Sequence, residues 1–278
     1  MVEIAESSFD PANSPDHTLS IRFLPDGFCF VVASISEKRP LYFCHLAEAG
    51  KSVTQLFSEQ INKLDSLRRK YSDVIFLNDD KAYTLMPSAV FDEAGKAAYW
   101  KFCTNGDPTN VKIKQDTIGL CDAVLLHSIP STLANLLEER FPSIRYIHRQ
   151  SILATQTMMR SKESGEESVG IMMGNDGFDL AVVKEGTLRM VNTFPRKDDE
   201  GFLYFTLNVF DQLKIDPYKA KVTIQGEVTG KTPAITKLGK YVSDISIINR
   251  PTTELGKQFA KSDICNKQTL LFDLPTCV

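Results

Sequence analysis

Residues 18–33, TLSIRFLPDGFCFVVA, align without a gap on residues 168–183, SVGIMMGNDGFDLAVV. One constant shift carries Asp26-Gly27-Phe28 onto Asp176-Gly177-Phe178. In each copy an apolar run enters Asp-Gly and a β-branched run leaves it. That is the strongest short-range signal for a hairpin, whose two central turn residues need positive φ. The correspondence continues with small gaps. Leu41-Tyr42-Phe43 answers Leu188-Arg189-Met190, and Val74-Ile75-Phe76 answers Val222-Thr223-Ile224. A duplicated unit of three meandering strands, a helix and a returning strand predicts two like α/β domains that face each other. The functional site of such a pair is expected in the cleft between them.

The bulk composition agrees. A chain of 278 residues accommodates two domains of about 100–150 residues each. With 42% hydrophobic and 24% charged residues it has the make-up of an ordinary soluble globular protein. A net charge of −3 gives no electrostatic reason to expect nucleic acid, which needs clustered positive charge. The basic run Arg68-Arg69-Lys70 ends a helical pattern, where cations complement the helix dipole. The six cysteines (Cys29, Cys44, Cys103, Cys121, Cys265, Cys277) form no CxxC pair and no zinc-type spacing, and most lie in apolar strand patterns as small hydrophobes. The N-terminal MVEIAESSFDPANSPDH has no basic stretch followed by an apolar segment, and no run approaches the ~20 residues of a membrane helix. Direct membrane insertion is not expected, and a cytoplasmic location with reduced thiols is.

Residues 1–16, rich in Ser, Pro and Asp, read as a flexible leader. Strands follow at 18–24, 28–36 and 40–46, and a helix is predicted from Ser52 to Tyr71 by apolar residues three and four apart. Residues 73–77 are a short buried strand. A helix then runs through FDEAGKAAYWKFC, before a loop at Asn105-Gly106-Asp107-Pro108. Strands VKIKQDT and AVLLHSI, a helix STLANLLEERF capped by Ser131, and a strand IRYIHRQ complete an inserted subdomain at about 85–149. A further helix, SILATQTMMR, leads into SKESGEES, the clearest linker, which places the first domain at 17–155 and the second at 156–278. The second copy then gives strands at 169–174, 178–184, 187–194, 221–225 and 245–249, with helices at 199–214 and 233–242. In the tail, TELGKQFAKS suits a final helix and TLLFDL a short extended piece.

This strand and helix order resembles the ribonuclease-H-like unit, and two in tandem resemble the actin-like ATPase fold of actin, the heat-shock-protein-70 chaperones and the sugar kinases. The resemblance is most specific at Met172-Met173-Gly174-Asn175-Asp176-Gly177-Phe178-Asp179-Leu180, which matches the phosphate-cradling hairpin of the chaperones in length and hydrophobicity. The insert is similar to that of the type IV pilus assembly protein PilM, and the full length resembles a bacterial family of unknown function assigned an actin-like ATPase fold. The resemblance implies a nucleotide cleft lined by Arg22, Asp26, Gly27, Gly174, Asn175, Asp176, Gly177 and Gly226.

The departures argue for the fold and against the ATPase. Met172 holds the place of an aspartate that helps position magnesium, and a thioether cannot serve a cation that demands oxygen ligands. Gly177 replaces the hydroxyl that would meet phosphate. Arg22, Phe23 and Leu24 stand where the first hairpin would read Asp-x-Gly. The nucleoside turn is reduced to Gln225-Gly226-Glu227, and Gly230-Lys231-Thr232 lacks the opening glycine of a P-loop. Arg22 is expected to fill the metal and phosphate ground, beside Leu24, Met172 and Met173.

Other candidates have plainer readings. The two Asp-Gly pairs read as turns before they read as paired carboxylates. Asp79-Asp80 at a strand end are loop carboxylates before they are catalytic acids. His17, His45, His127 and His148 show no ligand spacing and read as structural. Tyr83, Phe91, Tyr99, Trp100 and Phe102 form either an interaction surface or a plug between helix and sheet. The expectation is therefore a non-catalytic actin-like protein that binds or scaffolds a protein partner and needs no cofactor. The alternative is an unorthodox ATPase or phosphotransferase using Mg-ATP with Asp26, Asp176 or Asp79.

Overall fold

The computed structural model describes residues 1–174, 176–226, 228–248, 256–262 and 264–277. The first unit runs β1 (Val2–Ala5), β2 (His17–Leu24), β3 (Gly27–Ser34), β4 (Pro40–Ala47), α1 (Val53–Gln60), α2 (Asp65–Arg68) and β5 (Asp73–Asn78). An insert follows, with β6 (Tyr83–Pro87), α3 (Lys96–Thr104), β7 (Val111–Ile118) and β8 (Ala123–Pro130). The chain returns through α4 (Ser131–Arg140), β9 (Arg145–His148) and α5 (Arg149–Ser164). The second unit is β10 (Ser168–Met173), β11 (Gly177–Lys184), β12 (Thr187–Pro195), α6 (Asp199–Leu213), β13 (Lys221–Gly226), α7 (Pro233–Leu238) and β14 (Asp244–Ile247). Two helices close the chain, α8 (Ile264–Lys267) and α9 (Thr269–Cys277).

The sheet orders confirm the duplication. The first sheet is β1-β4-β3-β2-β5-β9 and the second β12-β11-β10-β13-β14, so five strands correspond one to one. Leu19 lies opposite Val32 and Val74, as Val169 lies opposite Val182 and Val222. Even the irregularity between Val32 and Ala33 recurs between Val182 and Val183. The third strands correspond with Tyr42 opposite Val32 as Met190 is opposite Val182, one residue away from the alignment of Leu41-Tyr42-Phe43 on Leu188-Arg189-Met190, because the turns closed by Ala33–Pro40 and Val183–Leu188 differ in length.

Both faces of the first sheet are covered, which is why β3 is buried along its whole length. Alternation sends Phe28, Phe30 and Val32 to one core with Phe57 of α1 and Leu137 of α4. Cys29, Val31 and Ala33 go to another core with Ile152 of α5 and Leu270 and Leu271 of α9. Each fully buried Phe contributes about 2–3 kcal/mol of transfer free energy. α5 is the shared wall, touching β9 of the first sheet and β10, β11 and β12 of the second. Gly170 admits it: a Cβ there would lie 2.1 Å from Thr157 Oγ1.

Several expectations are corrected. Residues 1–16 are built into the fold, because β1 pairs with β4 and buried Glu6 accepts the backbone N–H groups of Gln258 and Phe259. The predicted helix from Ser52 to Tyr71 is two helices. α1 starts on a Ser52–Gln55 capping box, and the chain turns after Gln60 while Leu67 still reaches the same core. Ser131 is the first helical residue and makes no cap; Pro130 precedes it. The insert is the three-stranded sheet β6-β8-β7, since β9 completes the first sheet beside β5. The expected linker is the end of α5, closed by Gly165 at φ 73, so the 155/156 boundary falls inside a helix. TLLFDL lies in α9, which packs on the first sheet, not the second. Of the tail predicted as a helix, the described part holds a 3-10 turn at Phe259–Lys261. Cys29 and Cys44 are buried, whereas Cys103 is exposed. The side chains of Cys265 and Cys277 lie outside the described residues. Among the described residues, no helix is long and apolar enough to cross a membrane.

Candidate functional site at the interface of the two units

The two hairpin tips are turns with a different division of labour from the one the sequence suggested. Leu24 pairs with Gly27, so Pro25 and Asp26 are central and the glycine comes fourth, as a Pro-led type I turn prefers. Neither Gly27 nor Gly177 has positive φ. Each is required because the neighbouring strand passes too close for a side chain. A Cβ on Gly27 would lie 1.9 Å from the Leu46 carbonyl oxygen, and one on Gly177 2.8 Å from that of Phe194. Asp26 is exposed and lies 3.7 Å from His45 of the neighbouring strand β4. The Asp176 carbonyl accepts the Arg196 N–H, and Gly174 N–H donates to the Gly177 carbonyl. Asn175 and Glu227 lie outside the described residues.

Gly226 does need its freedom. Its φ is 102°, and a Cβ would sit 2.3 Å from the Met173 carbonyl and 3.2 Å from Met172 Sδ. The surviving glycine of the nucleoside-turn motif is thus packed over the end of β10.

Between the tips and α5 lie two ion pairs, one inside the first unit and one that joins the two units. Arg22, turned away from the core face that holds Ile21, donates from Nε to Asp79 Oδ2 at 2.6 Å and from Nη1 to Gln268 Oε1 at 2.8 Å. Burial works against its charge, but the charge and hydrogen bond of Asp79 outweigh it and hold the guanidinium above its ordinary range. Arg149 at the start of α5 reaches Asp179 Oδ1 at 2.8 Å, and Thr193 Oγ1 donates to the same oxygen at 2.7 Å. Burial pushes the Asp179 carboxyl up, and Arg149 and Thr193 pull it back only in part. Gln150 and Tyr83 both reach Thr193, tying α5 and the insert to the second sheet. Gln225 donates to Gln156, which donates to Asp273 of α9.

A second buried network was hidden by the separation of its members along the chain. Asp116 Oδ1 faces His127 Nε2 at 3.2 Å, while Oδ2 accepts the His148 N–H at 2.7 Å and the Ser151 hydroxyl at 2.6 Å. His127 also meets Asn78, and Ser128 donates to Asp80. His148 Nδ1 accepts the Gln150 N–H and Nε2 lies 2.8 Å from the Asp80 carbonyl, an arrangement of the neutral ring. Burial, helped by His127, lowers its pKa to about 3. Asp79 and Asp80 are therefore both structural partners. The aromatic group divides: Trp100 is buried and donates to the Ala82 carbonyl, whereas Phe102 is exposed.

These residues do not fit a magnesium nucleotide. Met172 packs with Leu24 and Ile264 against the core under α9, and Arg22 is committed to Asp79 and Gln268. At the equivalent positions of the two first strands stand Arg22 and Met172, neither of which can offer the oxygen ligand magnesium demands. Sequence reasoning missed Arg149, Gln156, Thr193 and Asp273. Asp179 carried the one available signal, a carboxylate between Phe178 and Leu180 in an apolar strand.

A structure from Bacteroides thetaiotaomicron VPI-5482, described as having an actin-like ATPase fold and unknown function, is similar at a TM-score of 0.78 and 19% identity, covering 95% of this chain and 99% of that one. The PilM-PilN type IV pilus biogenesis complex is similar at 0.59 and 9% identity, covering 94% and 97%. No curated protein matches the chain. The two sheets of matching order have the actin-like ATPase fold, and, as residues 6–245 match the model described as Protein of unknown function (DUF3822), the chain belongs to that family.

Proposed function

We propose that this protein is a non-catalytic member of its fold, a cytoplasmic module that binds or scaffolds a protein partner. The observation that carries the reading is the fate of the two first-strand positions. Arg22 is neutralised by Asp79 and bridged to Gln268 just before the last helix, and Met172 packs against an apolar core. Catalysis of phosphoryl transfer rests almost entirely on positioned charge around the phosphates, and here the one charge at these two positions is paired with Asp79 inside the first unit. Asp26, the carboxylate of the first hairpin tip, points to solvent near His45. The likeness to PilM, found in complex with PilN, supports a role in protein assembly.

Thermal unfolding with and without Mg-ATP tests this. A nucleotide at 100 times its Kd would stabilise the protein by about 2.7 kcal/mol. The expected result is no shift and no phosphate release. A shift abolished by Asp176→Ala would overturn the reading in favour of an ATPase or phosphotransferase.

A further inference from the structure

A groove of about 660 Å³ opens between the insert and the first sheet. Two strand edges bound it. Among the described residues β7 pairs with β8 alone, and β9 with β5 alone. Ile113, Ile118, Ile147 and Ile152 give the groove apolar walls. An eight-residue edge such as Val111–Ile118 offers about 25 Å of unpaired backbone, a template for another strand.

The lining carries charge of one sign. Lys96, Lys114 and Arg145 come from α3, β7 and β9, and Asp116 is the one lining carboxylate. Asp116 is buried and already saturated by His127, the His148 N–H and Ser151. The three cations are held by Glu93, Glu138 and Asp73, which lie outside the lining. Such part-exposed pairs are worth about 0–1 kcal/mol each, so an incoming carboxylate can displace them. The molecule contains its own precedent, since Asp116 Oδ2 already takes an outward N–H of the β9 edge. Alternate residues of a strand turn their backbone groups the same way, so Tyr146 presents its N–H and C=O on that side too.

We propose that this groove takes an acidic, extended polypeptide segment of a partner protein. The segment adds as a strand to the free edge of β7 and sets its carboxylates against Lys96, Lys114 and Arg145. The proposal rests on the reading of the protein as a binding module and names the chemistry of what it binds. The main-chain ladder supplies affinity, and the alternating contacts with isoleucine walls and cationic rim supply selectivity. Attraction of this kind weakens with added salt.

The test uses the full chain, panned against a displayed library of random twelve-residue peptides. Enriched peptides are expected to alternate acidic and β-branched residues. A synthetic copy should lose at least about tenfold in affinity when Lys114→Glu and Arg145→Glu are combined in a protein whose far-UV circular dichroism is unchanged. A second measurement leaves the protein untouched. N-methylation of the bound peptide at one alternate set of backbone nitrogens should abolish binding, while methylation of the other set leaves it. No enrichment, neutral or basic winners, or equal tolerance of both methylation patterns would each overturn the proposal. These outcomes are separate from the Mg-ATP result: a failed groove without a nucleotide shift leaves the non-catalytic reading standing, and a nucleotide shift removes the parent reading itself.

Discussion

At the strand pair that faces the interface, the first half places Arg22 opposite Cys29, and the second places Met172 opposite Asp179. These four residues fill the same two positions of the duplicated hairpin. Each half has kept one charge and surrendered the other place to sulfur, and the two charges have opposite sign. Neither is satisfied within its own hairpin. Arg22 takes Asp79 from the end of β5, and Asp179 takes Arg149 from the start of α5. A duplicated backbone therefore tolerates divergence of its charged positions when a neighbouring element supplies the counter-charge. The difference lies in depth: the Asp179 side chain is 3% exposed, whereas Arg22 and Asp79 are 15% and 23% exposed.

The largest expected effect follows from that depth. Arg149→Leu leaves a deeply buried carboxylate with the neutral partners Thr193 and Gln150 and no counter-charge, and a cost of about 3–5 kcal/mol is expected in urea unfolding. Asp79→Ala strands a more exposed guanidinium and should cost less, about 2–3 kcal/mol. Combining Arg149→Leu with Asp179→Cys, the residue of the first half at that position, should recover most of the loss. Equal losses for the two single variants would break the comparison.

The turn glycines come next. Alanine at Gly27 must push back a backbone oxygen 1.9 Å away, whereas at Gly177 the gap is 2.8 Å. Gly27→Ala is expected to cost about 3 kcal/mol and Gly177→Ala about 1 kcal/mol, the range of overpacking in a rigid site. If both halves lose the same amount, the hairpins are more alike than their distances say.

How much of this was legible in the sequence depended on range. The hairpins were readable because strand alternation and turn chemistry are written within sixteen residues, and the repeat supplied a second copy as a check. The reason for the glycines was misread, because close approach of β4 and β12 is not visible from the turn itself. Glu6 meets Gln258 and Phe259 across almost the whole chain, and Gln156 meets Asp273 and Gln225 across more than sixty residues. No local pattern marks such partners. Asp116 was part of a strand and nothing more until the fold brought His127, His148 and Ser151 around it. Arg22 was recognised as a departure from the family pattern, but its partner Asp79 read as a loop carboxylate before a catalytic acid, and nothing local joined the two.

The smallest expected effect concerns pH and belongs to the first half alone, where β9 ends on a fully buried imidazole. The pKa of His148 is lowered from 6.5 to about 3 in the folded chain. A depressed folded value means that the contribution to stability is complete above 6.5 and is lost as pH falls from there toward 3. Over that window the protonated unfolded ring draws the equilibrium at about 1.4 kcal/mol per pH unit. His148→Asn keeps a side chain suited to capping α5 but drops the bond from Nε2 to the Asp80 carbonyl. At pH 7.5 the variant should be about 1 kcal/mol less stable. Between pH 6.5 and 5, before most carboxylates titrate, its stability should fall less steeply than that of the parent by up to about 1.4 kcal/mol per unit. Arg149, adjacent to His148, keeps its contact with Asp179 in both proteins, so the difference in slope isolates the ring. Parallel pH profiles for the two proteins would show that the imidazole is not what makes the first half sensitive to acid.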